Sequence, residues 1–230
     1  SPTGINYRAN IDAMKRAGVT DIISVSAVGS LKEQYAPGHF VLVDQFIDRT
    51  FAREKSFFSN GCVAHVGFAH PIASRLQDAL EKACKDLGFP HSRNGTYICM
   101  EGPQFSTYAE SQLYRSWGCD VIGMTNMPEA KLAREAEIPY ATVAMVTDFD
   151  CWHPDHDNVT VEQIVKVLTG NADHARSLIK AVAPMLRERP EIDEQGGDRA
   201  LDFALITHAE GRDPAVVAKL DAVAGRMLGD

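Results

Sequence analysis

At 230 residues, with 45% apolar and 23% charged content, the chain can bury one sizeable core and reads as one domain spanning 1–230. A formal net charge of -8 excludes the clustered basic footprint of a nucleic-acid binder, and no run approaches the roughly eighteen apolar residues of a membrane span. The five cysteines are odd in number, scattered and never paired as C-x-x-C, which fits reduced thiols in a cytoplasmic protein.

Strand-like and helix-like patterns alternate along the chain. Asn6 to Ala17 reads as a helix ended by Gly18, and Ile22 to Ala27 as a buried strand running into Val28-Gly-Ser30. Phe40 to Ile47, after the Pro37-Gly38 turn, gives a second strand. Pro71 to Leu87 predicts a helix with Ile72, Leu76, Leu80, Ala83 and Leu87 on one face, stopped by Gly88. Thr96 to Met100 is a third strand, Thr107 to Trp117 a helix and Val121 to Met124 another strand. Ala130 to Glu137, with Pro128 near its first turn, predicts a further helix before the apolar strand Tyr140 to Val146. Val161 to Leu186 reads as one long helix or two, 190–199 as a loop, and 214–228 as a last helix carrying Val216, Val217, Leu220, Val223 and Met227. The alternation indicates an α/β fold.

The most informative stretch is the apolar strand ending in Thr147-Asp-Phe-Asp150. Alternation at period two puts Asp148 and Asp150 on one face, at the carboxyl end of a strand, where α/β enzymes hold their ligands. An Asx-turn followed by a helix cap is the competing use of the same residues. Cys151 follows directly, but two nearby carboxylates oppose thiolate formation, so it reads as a small packed side chain rather than a nucleophile.

Other strand ends carry recognition chemistry. Ser24 to Ser30 combines hydroxyls with a Gly-permitted backbone suited to an anion such as phosphate, though serines there also serve as turn-formers. In Glu101-Gly-Pro-Gln-Phe-Ser106 the Gly-Pro pair breaks the strand and leaves Phe105, able to stack on a flat ring, beside Ser106 at its mouth. Met124-Thr125-Asn126 repeats the arrangement, and taken alone is a core Met followed by a helix N-cap. His153-Pro-Asp-His156-Asp157 lacks the spacing that would bring both rings to one face, so no metal site is expected and the segment reads as a loop covering the site.

Taken together, Ser26-Ala-Val-Gly-Ser-Leu31, Asp44-Gln-Phe-Ile-Asp48, the 101–106 segment, Met124-Thr125, Pro128-Glu129 and Thr147-Asp-Phe-Asp-Cys-Trp152 resemble the trimeric purine nucleoside phosphorylase family. The last of these, with the opening Ser1 to Asn10, resembles its 5′-methylthioadenosine phosphorylase branch. The resemblance covers most of residues 1–186 and implies one α/β domain, a central mixed β-sheet flanked by helices, in a homotrimer. Three departures stand out. The family's N-terminal strand and Gly-rich loop, with an Arg-His pair before the segment matching Ser1, have no counterpart here, and the expectation is that the functional protein carries them upstream. Gly4 stands where a polar helix former is expected, and 190–230 extends beyond the matched motifs.

The activity implied is phosphorolysis of 5′-methylthioadenosine to adenine and 5-methylthioribose 1-phosphate, with phosphate as co-substrate and no cofactor or metal. Matched by motif, Ser26, Ala27 and Thr125 would hold phosphate, Met124 would lie against the ribose, and Phe105 and Ser106 would meet the base. Phe149 lies within the substrate-binding run, between aspartates facing the purine edge. Val161, Ile164 and Val165 match an apolar lid over the 5′ group, and His65 matches a histidine supplied by a neighbouring subunit. Val161, Ile164 and Val165 also suit an ordinary helix core face. Expelling a purine needs an acid at N7, and a desolvated carboxyl can stay protonated for that role, which is assigned to Asp148 with Asp150 supporting it. Two alternatives remain at this point: a phosphorylase of 6-oxopurine nucleosides (inosine, guanosine or 5′-methylthioinosine), and a non-catalytic adenosine-binding protein.

Overall fold

The computed structural model describes residues 1–154, 161–188 and 192–229, without the side chains of 161–164, 166 and 168. Helix α1 (Tyr7–Arg16) begins where the Asn6 side chain accepts the Ala9 N–H, and it buries Tyr7 and Ile11. Strands β1 (Ile22–Ser30) and β2 (Phe40–Arg49) follow, then helix α2 (Ser74–Leu87), which buries Leu76, Leu80 and Ala83 and stops at Gly88. Strand β3 (His91–Met100) leads into α3 (Tyr108–Ser116), whose start is fixed by a capping box between Thr107 and Glu110. Strand β4 (Val121–Gly123), helix α4 (Asn126–Glu135), strand β5 (Tyr140–Asp148) and helix α5 (Val161–Val182) complete the body.

The strands are ordered β1-β4-β3-β2-β5 and close into a barrel. Parallel pairs (β1 with β5, β2 with β3, β3 with β4) combine with antiparallel ones (β1 with β4, β2 with β5), giving the expected mixed sheet flanked by helices. Strand β5 lies between β1 and β2 and is buried from Tyr140 through Thr147, which is why it reads as a mostly apolar run. Phe40, Leu42, Leu76, Leu80, Leu132 and Ile138 fill the core, each worth about 1.5–3 kcal/mol of transfer free energy.

Two elements differ from the sequence expectation. Strand β3 starts at His91 rather than Thr96, because its polar first half pairs with β2 (Phe40 with His91, Leu42 with Arg93) while Arg93 bonds Asp78 and Glu81 on α2. The expected helix over 214–228 is instead two short helices, α6 (Pro214–Val217) and α7 (Gly225–Leu228). Leu220 and Ala224 are drawn into a cluster with Phe58, Cys62, Leu201 and Ala204, and Gly225 weakens a continuous helix by about 1 kcal/mol. The tail packs on the body through Arg226, which reaches Glu137 at 2.5 Å while also bonding Asp202 within the tail, and through an Arg16–Asp221 pair.

Candidate active site

A cavity of about 350 Å³ opens at one end of the barrel, where β1, β3, β4 and β5 deliver their terminal residues. Ser26, Ala27, Phe105, Met124, Thr125, Asp148 and Asp150 all line it, so seven residues scattered over 125 sequence positions meet at one place. Ser106 borders this group, its hydroxyl 3.7 Å from the sulfur of Met100, a lining residue.

A register shift positions the carboxylates. Val28 faces Val146 across the β1/β5 ladder but Gly29 faces Asp148, so Thr147 is passed over as a bulge. The Thr147 hydroxyl is 3.1 Å from the Val28 carbonyl and 2.6 Å from Asp148 Oδ1. Asp148 Oδ2 accepts the Asp150 backbone N–H at 2.9 Å. Gly29 leaves the room this needs: a Cβ there would stand 3.2 Å from Asp148 Oδ2 and 3.1 Å from Ile122.

Burial pushes the Asp148 carboxyl above its ordinary range, against the opposing hydrogen bonds from Thr147 and Asp150. Burial likewise raises Asp150, and the neighbouring charge of Asp148 adds to it. Cys151 is raised by burial and then by Asp150, in line with a packed thiol rather than a nucleophile. Beyond the carboxylates, Trp152 Nε1 donates to the Ser30 carbonyl at 2.7 Å, and the Arg115 guanidinium sits 3.6 Å over its ring.

Elsewhere in the lining, Ser26 is buried with its hydroxyl 3.2 Å from the hydroxyl of the fully buried Tyr97. Thr125 precedes α4 but makes no side-chain cap bond, which departs from the N-cap reading. Met124 lies against Gly102, where a Cβ would come within 2.5 Å of the Met124 sulfur, so a larger residue there would force the thioether off its place.

Three expected residues do not join the cavity. Phe149 is buried in a cluster with Leu31, Tyr114, Ile122 and Trp152, its ring 4.7 Å from that of His153, so it supports the wall instead of lining it. His65 is exposed and lines a separate cavity of about 520 Å³ with Lys55, Lys131 and Glu135. Val165 is on α5 and half exposed, and the side chains of Val161 and Ile164 lie outside the described residues, as do His156 and Asp157. Among the described residues no group of three or more His, Cys, Asp or Glu has the arrangement of a metal site.

The structure also shows residues that sequence reasoning missed. Arg53, its side chain 1% exposed, bonds the carbonyls of Glu101, Met124 and Met127 at 2.6–2.7 Å and pairs with Glu101 at 3.4 Å. Burial alone would raise Glu101, but Thr3, the Phe51 and Ala52 amides and Arg53 outweigh it and hold the carboxyl low. Glu101 opens the strand-breaking Glu101-Gly-Pro-Gln-Phe-Ser106 motif; Arg53, in Phe51-Ala-Arg-Glu-Lys, has the local look of a surface arginine.

Residues 1–184 match the sequence profile described as the phosphorylase superfamily. The chain belongs to this family. It is 67% identical over 229 residues to an S-methyl-5′-thioadenosine phosphorylase of Rhodospirillum rubrum, covering 100% of this chain and 78% of that protein. It is 65% identical to one of Bradyrhizobium diazoefficiens, covering 99% and 78%. Its fold matches the crystal structure of a methylthioadenosine phosphorylase from an Antarctic soil metagenomic library with a TM-score of 0.90 at 45% identity, over 97% of this chain and 78% of that one. The Schistosoma mansoni methylthioadenosine phosphorylase in complex with adenine matches with a TM-score of 0.78 at 34% identity, over 82% and 73%.

Proposed function

We propose that the protein catalyses phosphorolysis of 5′-methylthioadenosine, releasing adenine and forming 5-methylthioribose 1-phosphate. The observation that carries this reading is the convergence on one cavity of a desolvated Asp148/Asp150 pair with Ser26 and Thr125, two hydroxyl residues. The similarity to S-methyl-5′-thioadenosine phosphorylases supports the choice of substrate.

Asp148, whose proton affinity burial raises, donates to purine N7 as the C–N bond breaks, and adenine leaves neutral. Phosphate, held by Ser26, the Ala27 amide and Thr125, attacks the anomeric carbon as it takes on oxocarbenium character. An anion beneath the sugar stabilises that developing charge. Met124 packs against the ribose and Phe105 against the base, with Ser106 beside it. Asp150 orients Asp148 through its backbone N–H. Phosphate is the one co-substrate this scheme requires.

His65, exposed and outside the cavity of its own chain, suits a role in the site of a neighbouring copy, and the reading includes a homotrimer with the 5′ group under residues of α5. Sedimentation equilibrium at the mass of three chains is the expected result. The free cysteines support a reducing, cytoplasmic compartment, and no helix among the described residues is long and apolar enough to cross a membrane.

The test follows free base released from 5′-methylthioadenosine, adenosine and inosine, each with and without phosphate. Adenine release that needs phosphate and favours the methylthio compound is expected. Hypoxanthine release would reassign the base contacts, and saturable binding without turnover would make the protein a binder.

A further inference from the structure

Arg53 touches neither carboxylate, yet its buried guanidinium joins two separate walls of the cavity. Its Nη1 donates to the Met124 and Met127 carbonyls, both at 2.6 Å, on the turn between β4 and α4. Its Nη2 donates to the Glu101 carbonyl at 2.7 Å and the Met100 carbonyl at 3.4 Å, where β3 ends. Glu101, its ion-pair partner, accepts from the Phe51 amide at 2.6 Å and from the hydroxyl of Thr3, next to the cavity residue Pro2.

Desolvating such a pair offsets much of its attraction, and apolar residues of the same volume would stabilise the fold as well or better. A rigid planar fork adds something an apolar pair lacks, a fixed geometry between the backbone segments it bonds. One segment leads into Phe105, and the other presents Met124 and Thr125. In the reaction proposed above, the first wall holds the purine and the second the ribose and phosphate. The span between them sets the approach of phosphate to the anomeric carbon.

We propose that Arg53 and Glu101 are positioning residues that hold the base wall and the phosphate wall in register, an inference that rests on the phosphorolysis reading. Neither residue contacts the reacting atoms. Their effect is on the alignment of two bound molecules and on the hold on phosphate, not on the binding of the base alone.

The test compares wild type with Arg53→Lys, which keeps the charge and loses the fork, and with Glu101→Gln, below the melting temperature of each. Adenine alone meets only the base wall, so its affinity should stay near the wild-type value. Turnover should fall by roughly 10–100-fold, since a displacement of about 1 Å costs on the order of 100-fold, and KM for phosphate should rise. A loss of kcat matched by the loss of folded protein, with both KM values and adenine affinity unchanged, would reduce the pair to a structural role and overturn the proposal. Should either variant fail to fold, Thr3→Val removes one hydroxyl from Glu101 and leaves both charges in place; a fall of about fivefold in kcat with adenine affinity intact is expected, and unchanged kcat overturns the inference. Absence of phosphate-dependent base release in wild type defeats the functional reading itself, whereas an active wild type with equally active variants defeats the positioning claim alone.

Discussion

The Asp150 backbone N–H lies 2.9 Å from Asp148 Oδ2, so the main chain of the second carboxylate orients the first. Asp150 adopts a left-handed φ of 50° in doing so, and the Thr147 hydroxyl holds the other oxygen of Asp148 at 2.6 Å. In the proposed reaction the acid is thus aligned before any substrate arrives, which leaves little reorganisation for the transition state.

Replacing Asp148 with Ala should lower kcat by about 10²–10⁴-fold, the usual contribution of a positioned general acid. Folding should change little, because the substitution removes a carboxyl that burial disfavours in its charged form. Steady-state kinetics beside a calorimetric melt checks this. Undiminished turnover would take the acid role away from Asp148.

The same burial makes a pH prediction with a definite sign. A carboxyl whose folded pKa lies above its ordinary 3.8 binds more protons in the folded than in the unfolded state, so its contribution to stability falls as pH rises from 3.8 to the folded value and is then constant. The difference in melting temperature between wild type and Asp148→Asn should follow that slope. On the alkaline side turnover should fall as the acid loses its proton, with apparent pKa values that belong to the Asp148/Asp150 pair jointly.

Asp48 behaves in the opposite way. Burial opposes its ionisation, but Lys131 at 2.5 Å, Thr50 and Lys55 at 3.0 Å outweigh it and bring the carboxyl down to about 2. Its stabilisation is complete above 3.8 and is lost as pH falls toward about 2. Asp48→Asn should cost about 1–3 kcal/mol at neutral pH, nearer the low end because both lysine side chains are 33% exposed. Urea titrations at neutral and at acid pH should show the cost disappear in acid; a pH-independent difference would refute the linkage.

Gly29→Ala tests the close approach of β1 to the carboxylates. The added methyl would stand 3.2 Å from Asp148 Oδ2, so the carboxyl must shift by a few tenths of an ångström. A loss of kcat on the order of tenfold is expected, with a smaller proportional effect on stability. Wild-type kinetics in this variant would show that the carboxyl tolerates the shift.

Much of this was legible in the sequence because local pattern and tertiary role coincide in β5. An apolar run buried on both faces and ending in Thr-Asp-Phe-Asp announces a central strand with polar residues at its mouth. The first half of β3 was not legible, since His91, Ser92, Arg93 and Asn94 become strand only through their ladder to β2, a partner fifty residues upstream. The helical spacing of Val216, Leu220, Val223 and Met227 misled for a related reason: contacts with the loop around Phe58 and Cys62 override it. At the site, strand-end residues were visible as motifs, whereas Arg53 was not, because its partners at Glu101, Met124 and Met127 lie 48 to 74 positions away. Phe149 was placed at the substrate by its neighbours in sequence, and its burial with Trp152 shows how a single turn after β5 sends adjacent residues to different sides.

The anchoring of Trp152 to the Ser30 carbonyl, under the Arg115 guanidinium, pins the turn after β5 to the end of β1. Asp148 and its two hydrogen-bond partners therefore sit between two fixed points, the β1/β5 ladder on one side and the Trp152 anchor on the other. In the proposed reaction, a change of substrate confined to the 5′ group leaves these anchored residues in place.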